Sequence, residues 1–156
     1  YQQVEHAVLN QEVVLSALGA ATPLKRDHNL IIGIQNIVAG MTRQNVRRII
    51  YQSFLGVKEY RKELGLMVNV IMPVILKNVI VDHEAKEDII MKSPLDWTIV
   101  RCAILTNGPL TSEYRSGEHV KPSPMIPLIS RADVADFMLM QVAEDTYWYK
   151  KPRIMY

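Results

Sequence analysis

The sequence has 156 residues, of which 49% are hydrophobic and 22% are charged, and this matches one compact domain with an apolar core. We therefore expect a single domain over residues 1–156. Eighteen Lys and Arg residues against sixteen Asp and Glu residues give a formal charge of +2. The basic residues are scattered rather than gathered on one stripe, which argues against nucleic acid as a partner.

The single cysteine, Cys102, excludes an internal disulfide, and no secretory leader opens the chain. We therefore expect a reducing, cytoplasmic location. The longest apolar stretch, residues 64–81, is interrupted by a lysine, a proline and two asparagines, so no membrane span is predicted. The four histidines lack metal-ligand spacing, and no metal site is predicted.

The first half of the chain predicts one βαβ unit. Residues 12–19 form a short apolar run ended by Gly19, typical of a strand that is buried on both faces of a parallel sheet. Apolar residues at largely helical spacing predict a helix over residues 29–46. Residues 47–55 then predict a second strand, ended by Gly56.

A second βαβ unit follows. Residues 57–78 are apolar without clean periodicity, and Pro73 should interrupt any helix there because it lacks an amide donor. A helix is predicted over residues 79–92, ended by Ser93 and Pro94, and a strand over residues 96–103.

The last part of the chain predicts a short strand at residues 118–121, a helix that begins at the N-cap Ser130, and a final edge strand at residues 152–156. Strands that alternate with helices indicate a Rossmann-type, doubly wound and mostly parallel sheet with helices on both faces.

Six segments, in order and over nearly the whole chain, resemble the atypical short-chain dehydrogenase/reductases. This NAD(P)-binding Rossmann family includes the NmrA-like proteins and the biliverdin reductase B-like flavin reductases. The segments are 13–19 (VVLSALG), 33–41 (GIQNIVAGM), 46–53 (VRRIIYQS), 93–101 (SPLDWTIVR), 105–110 (LTNGPL) and 129–137 (ISRADVADF).

One expected part of that family's cofactor site is missing from these residues. The family holds the pyrophosphate on a glycine-rich turn after its first strand, and no G-x-x-G-x-x-G occurs here. We therefore expect an amino-terminally incomplete Rossmann domain, either a fragment or a truncated frame that has lost cofactor binding. The resemblance implies NADP or NAD as the cofactor but does not choose between them, because the residue that would do so falls in the same missing part.

The resemblance implies cofactor-binding positions at the carboxyl ends of the strands. Backbone contacts are expected from Leu18, Gly19 and Ala20 after the first strand, with a simple turn glycine as the alternative. Further cofactor contacts are expected in the loop after the third strand, from Cys102, Ala103, Ile104 and Leu105.

Two catalytic positions are implied as well. Ser53 matches the hydroxyl that orients the substrate carbonyl or the nicotinamide, and a loop-capping serine is the alternative. Lys86 matches the lysine of the family's Tyr-x-x-x-Lys, which hydrogen-bonds a ribose hydroxyl; a solvated helix lysine is the alternative. Asp82 stands where the tyrosine would be. His83 is a substitute acid or, alternatively, a histidine on the helix surface.

The missing tyrosine suits the flavin-reducing relatives, because hydride transfer to a flavin needs little acid catalysis. Against this, Ile104 stands where the biliverdin reductase B-like proteins carry a histidine. The leading hypothesis is an NAD(P)-dependent oxidoreductase that transfers hydride to a flavin, quinone or small carbonyl acceptor. The alternative is a non-enzymatic, NmrA-like protein that senses the dinucleotide. A third hypothesis is a fragment that binds nothing and self-associates through its unpaired first strand. Under this hypothesis the chain forms a homo-oligomer.

Overall fold

The computed structural model describes residues 1–19, 27–57, 77–122 and 126–156. Four helices lie in these ranges: α1 (Gln2–Val8), α2 (His28–Arg43), α3 (Lys77–Met91) and α4 (Arg131–Ala143). The strands are β1 (Val13–Ser16), β2 (Arg48–Phe54), β3 (Asp96–Cys102), β4 (Ile104–Thr106), β5 (Arg115–Gly117), β6 (Leu128–Ser130) and β7 (Arg153–Met155). The predicted positions Ala20 and Pro73 fall outside the described residues.

The main sheet has five strands in the order β1-β2-β3-β7-β5. The first four are parallel, and β5 runs antiparallel to β7. In the shared register Ile50 lies beside Leu15 on one side and Thr98 on the other. The predicted fold class, a mostly parallel sheet flanked by helices, is confirmed.

Two apolar clusters cover the two faces of the sheet, because alternate residues of a strand point to opposite faces. From β2, Ile49 and Tyr51 join the cluster on the α2 and α3 side, and Ile50 joins the cluster on the α4 side. Phe137 on α4 is a buried member of the second cluster. The result is a layer of helices on each face of a buried sheet.

Helix α1 packs closely against α2 at Gly40. A Cβ at this position would come within 3.4 Å of the Glu5 Cα and of the Val8 side chain. Glu5 also pairs with Arg43 at 3.7 Å and accepts a hydrogen bond from Gln44 at 3.3 Å. The short amphipathic helix at the start of the chain is thereby attached to the domain.

Two sequence predictions about strands are wrong. The segment predicted at residues 118–121 is not a strand; the strand lies three residues earlier, in β5. The last strand, β7, is not at an edge, because it pairs with β3 on one side and with β5 on the other. Arg153, in β7, is accordingly almost fully buried.

A small second sheet, of the parallel strands β4 and β6, was not predicted. It follows directly on β3 and leads into α4, whose predicted N-cap Ser130 accepts a hydrogen bond from the Asp133 amide at 2.9 Å. No helix in the described part of the chain is long and apolar enough to cross a lipid bilayer.

Candidate functional site

The carboxyl ends of β1, β2 and β3 meet at one edge of the sheet, where open α/β sheets bind their ligands. Leu18 follows β1, Ser53 lies near the end of β2 and Arg101 near the end of β3. Helix α3 packs on β2 and β3 and brings its own polar residues to this edge. Segments that are far apart in the sequence therefore form one cluster.

Lys86 on α3 is buried and reaches back to the first strand. Its Nζ donates to the Leu18 carbonyl at 3.3 Å and lies 5.8 Å from the centre of the Tyr51 ring. Burial lowers the pKa of Lys86, and the nearby Asp82 carboxylate opposes that shift. Two of the predicted site residues, Leu18 and Lys86, are thus in direct contact, and the alternative of a solvated helix lysine does not hold.

Asp82, which the sequence resemblance sets at the place of the family tyrosine, is a buried residue in contact with another helix. Its carboxylate is 4% exposed and accepts a hydrogen bond from the Asp27 amide at 3.3 Å. Asp27 is the N-cap of α2. The position that would carry a proton donor therefore ties α3 to the start of α2.

Ser53 is buried and donates to the Glu87 carboxylate at 2.5 Å. The same carboxylate forms a two-point ion pair with Arg101, with N···O distances of 2.6 and 3.2 Å. Both charged side chains are almost fully enclosed, at 2% and 4% exposure. Ser53 is therefore not a loop cap; its hydroxyl belongs to a buried charged network.

Glu87 and Arg101 had no predicted role in the network around Ser53. Glu87 lies four residues after His83, so the two share one face of a helix, and this spacing is the signal that could have found it. Arg101 gave no comparable signal, since a charged residue within a strand reveals its partner only after the helix is packed over the sheet.

His83 lies over β2 rather than on the helix surface. Its Nδ1 is 3.1 Å from the Tyr51 hydroxyl and 3.4 Å from Ser53 Oγ, and its ring is near Phe54. Burial, with a smaller contribution from Lys86, lowers the pKa of His83 to about 3. The imidazole is therefore neutral at physiological pH, so an imidazolium acid is not available at this position.

Gly19 lies just after β1, next to Leu18. Among the described atoms, the Ala17 carbonyl oxygen is the nearest that a Cβ at Gly19 would meet, at 4.0 Å. This backbone and the Lys86 ammonium beside it would hold the ribose and nicotinamide part of a dinucleotide. The residues that would hold the pyrophosphate have no counterpart in this sequence.

The predicted positions after β3 lie at the same edge, with their backbone amides engaged in strand pairing. The Ala103 amide donates to Ile154 and the Ile104 amide to Pro127, each at 3.1 Å. The Cys102 side chain is 1% exposed and belongs to the core. The side chains of Ile104 and Leu105 are half-buried.

A cavity of about 130 Å³ lies behind the ion pair, with Val57, Asp88 and Met91 among its lining residues. Sites for drug-sized ligands enclose about 300–1,000 Å³, so this cavity is too small for a flavin. Within the described ranges, no group of histidine, cysteine and acidic side chains comes together in a way that could hold a metal ion.

The sequence was compared with known protein families. The sequence profile of a family described as NAD(P)H-binding matches residues 1–145. No curated protein matches the chain.

Solved structures share the fold over almost the whole chain. A short-chain dehydrogenase/reductase from Veillonella parvula DSM 2008, in complex with NADP, is 23% identical with a TM-score of 0.75; the match covers 98% of this chain and 66% of that one. The oxidoreductase ylbE from Lactococcus lactis is 18% identical with a TM-score of 0.77, covering 98% of this chain and 65% of that one.

ChuY, an anaerobillin reductase from Escherichia coli O157:H7, is 16% identical with a TM-score of 0.71, and the match covers 98% of this chain and 69% of that one. The chain therefore spans about two-thirds of the length of these neighbours. The resemblance drawn from the sequence is confirmed for the NAD(P)-binding Rossmann fold.

Proposed function

The chain belongs to the NAD(P)H-binding family, and we propose that it acts in a dinucleotide-dependent oxidoreductase that transfers hydride to a flavin, a quinone or a small carbonyl compound. The bound NADP or NAD supplies the hydride. The described residues hold the cofactor's sugar, orient the acceptor and enclose the site.

The contact between Lys86 and Leu18 carries this proposal. A lysine that is 1% exposed has lost most of its hydration. The Leu18 carbonyl and the nearby Asp82 charge offset part of that loss, and hydrogen bonds to a polar ligand would offset more of it. The ammonium has three donors, so it can hydrogen-bond ribose hydroxyls while it keeps the Leu18 carbonyl. Backbone contacts from Leu18 and Gly19 and side-chain contacts from the half-buried Ile104 and Leu105 complete the proposed cofactor site, because the amides after β3 are already paired.

The nature of the acceptor follows from the proton donors near the site. Asp82 is engaged with α2, the Ser53 proton is held by Glu87, and His83 is neutral. An acceptor that needs little proton transfer from the protein, such as a flavin or a quinone, fits this arrangement best. Ser53 would then orient the nicotinamide by accepting a hydrogen bond from its carboxamide N–H.

The test is titration of the full-length gene product with NADPH and NADH, followed by nicotinamide fluorescence. Lys86→Met should weaken binding by about 10- to 150-fold, since a hydrogen bond to a charged group contributes roughly 1.5–3 kcal/mol. Lys92→Met is the matched control, because Lys92 is an exposed lysine on the turn that ends the same helix. Absence of binding by the unsubstituted protein would refute the proposal.

A second candidate function is a non-enzymatic dinucleotide sensor. The lack of a proton donor among Asp82, Ser53 and His83 favours this function too, because a sensor needs no acid catalyst. Such a protein would bind the reduced dinucleotide, and Lys86→Met would weaken that binding equally. Steady-state oxidation of NADPH or NADH with a flavin or quinone separates the two candidates, because only the enzyme turns over.

A further inference from the structure

Tyr51 and His83 form a pair that the proposed function does not use. Tyr51 is fully buried in the middle of β2, and the hydrogen bond that the described structure gives its hydroxyl goes to His83 Nδ1 at 3.1 Å. Burial raises the pKa of Tyr51 well above its usual range, with the Glu87 and Asp82 carboxylates adding to the shift. The hydroxyl therefore stays protonated, and its buried O–H needs a hydrogen-bond acceptor.

The direction of this hydrogen bond fixes the position of the imidazole proton. If Nδ1 carried the proton, the phenolic proton would have no acceptor, and a buried unsatisfied donor costs about 1–3 kcal/mol. Ser53 offers Nδ1 no competing proton, because its hydroxyl donates to Glu87. Tyr51 therefore donates to the Nδ1 lone pair, and the ring proton of His83 lies on Nε2.

The other ring nitrogen faces away from this network. Nε2 makes no hydrogen bond to the described residues. His83 is half-buried rather than fully enclosed, and its contact with Ser53 places the ring at the edge of the sheet where Lys86 also lies. An Nε2–H group that is held in place and has no hydrogen-bond partner among the described residues can donate a hydrogen bond to a bound hydride acceptor.

We propose that Tyr51 fixes His83 as the Nε2–H tautomer, and that this neutral N–H donates a hydrogen bond to an oxygen of the hydride acceptor. The acceptor half of this proposal rests on the proposed function; the tautomer half does not. The hydrogen bond stabilises negative charge as it develops on a flavin, quinone or carbonyl oxygen without transferring the proton. The hydride acceptor is therefore a compound with an oxygen that gains negative charge as the hydride is transferred.

The tautomer is testable in the protein without cofactor, by long-range proton–nitrogen NMR of the histidine rings. The unsubstituted protein should show the Nε2–H pattern for His83, and Tyr51→Phe should show a mixture of both tautomers. Tyr149→Phe is the control, since Tyr149 donates to Asp96 at the opposite edge of the sheet. An Nδ1–H pattern in the unsubstituted protein would overturn the proposal, as would a spectrum that Tyr51→Phe leaves unchanged.

Turnover tests the acceptor half. His83→Ala should lower kcat by about 100-fold, the usual effect of removing one preorganised donor to a developing negative charge. His83→Gln keeps an N–H donor and should recover part of this loss, and Tyr51→Phe should lower kcat without changing the Kd of the dinucleotide. Equal turnover by all variants contradicts the role of His83. Failure of the unsubstituted protein to bind a dinucleotide instead contradicts the proposed function and leaves the tautomer result intact.

Discussion

Glu87 carries its charge inside the protein, with Arg101 and Ser53 as its partners. Two hydrogen bonds from the guanidinium and one from the hydroxyl satisfy the carboxylate. Burying two charges costs several kcal/mol for each ion, and their attraction offsets this cost only when the geometry is good. The ion pair therefore adds little net stability, but removing one of its two partners destabilises the fold strongly.

Replacing Glu87 should show that cost. We expect Glu87→Gln to lower the free energy of unfolding by roughly 3–5 kcal/mol, because the substitution removes the charge of a buried, two-point ion pair with Arg101. The measurement is urea denaturation at pH 7.

Asp88→Asn, at the neighbouring position of α3, is the matched control. Asp88 is exposed and pairs with Lys92 at 3.4 Å, so its loss should change the free energy of unfolding by only about 0.3–0.5 kcal/mol. Similar effects of the two substitutions would contradict the interpretation of Glu87 and Arg101 as a buried pair.

At this scale the sequence was informative about Leu18, Ser53 and Lys86, which the structure brings to one edge of the sheet. The partners Glu87 and Tyr51 were missed, because a buried charge or hydroxyl identifies its partner only through the packing of α3 on β2. Distance along the sequence hides such contacts: Tyr51 and His83 are 32 residues apart.

Among the elements, Asp133 at the start of α4 joins three parts of the chain. It accepts hydrogen bonds from the amides of Thr111 and Ser112, each at 2.8 Å, and from the Ser130 hydroxyl at 2.8 Å. Two more hydrogen bonds come from the Thr111 hydroxyl, at 3.0 Å, and from the Tyr156 hydroxyl, at 2.5 Å. The loop after β4, the first turn of α4 and residue 156 are held together by one carboxylate.

The pH dependence of this contribution follows from the pKa of Asp133. Burial acts to raise that pKa, but the hydrogen bonds from Tyr156, Thr111, Ser112 and Ser130 outweigh it and hold the pKa well below its usual range. A depressed pKa in the folded state stabilises the protein above the unfolded pKa of about 4, and this contribution is lost as the pH falls further.

We expect Asp133→Asn to lower Tm at pH 7 by about 5–10 °C. The amide has one acceptor oxygen instead of two, and its NH2 group would face N–H and O–H groups that are themselves donors. The difference in Tm between Asp133→Asn and the unsubstituted protein should become smaller as the pH falls below about 4. Asp136→Asn, on the same helix, is the control, since Asp136 accepts a hydrogen bond from Tyr114 alone among the described side chains. Thermal unfolding at several pH values measures both, and a difference that stays constant down to low pH would count against the role of Asp133.

The longer elements were predicted well from hydrophobic periodicity, and α2, α3, β2 and β3 lie within a few residues of their predicted bounds. The three-residue strands were not. A strand as short as β4 or β6 has too few residues to show alternation, and its pairing depends on segments more than twenty residues away. The inner position of β7 depends in the same way on its pairing with β5, which the sequence does not reveal.

For the molecule as a whole, β1 marks one end of the sheet. Within the described ranges it pairs with β2 alone, and Leu15 in its centre is 40% exposed. A strand with one free side offers its backbone groups to another strand. We therefore propose that a chain of these 156 residues alone associates with a second copy through β1.

Sedimentation velocity over a range of concentrations tests that proposal. The sedimentation coefficient should rise with concentration, and Leu15→Lys should suppress the rise because a charge on an edge strand opposes strand addition. Leu139→Lys, on the exposed face of α4, should have no effect. If Leu139→Lys alone suppresses association, the interface lies on α4 and not on β1.

Cys102, the one thiol in the sequence, ends β3 inside the core, and burial raises its pKa well above its usual range. Alkylating reagents attack the thiolate, so the folded protein offers them neither access nor a reactive sulfur. Each labelling event then requires the end of β3 to open. The rate of alkylation therefore reports the opening of the sheet beside the proposed cofactor site: the fraction of open molecules at low reagent concentration, and the opening rate when labelling is faster than reclosing. The unsubstituted protein needs no introduced probe.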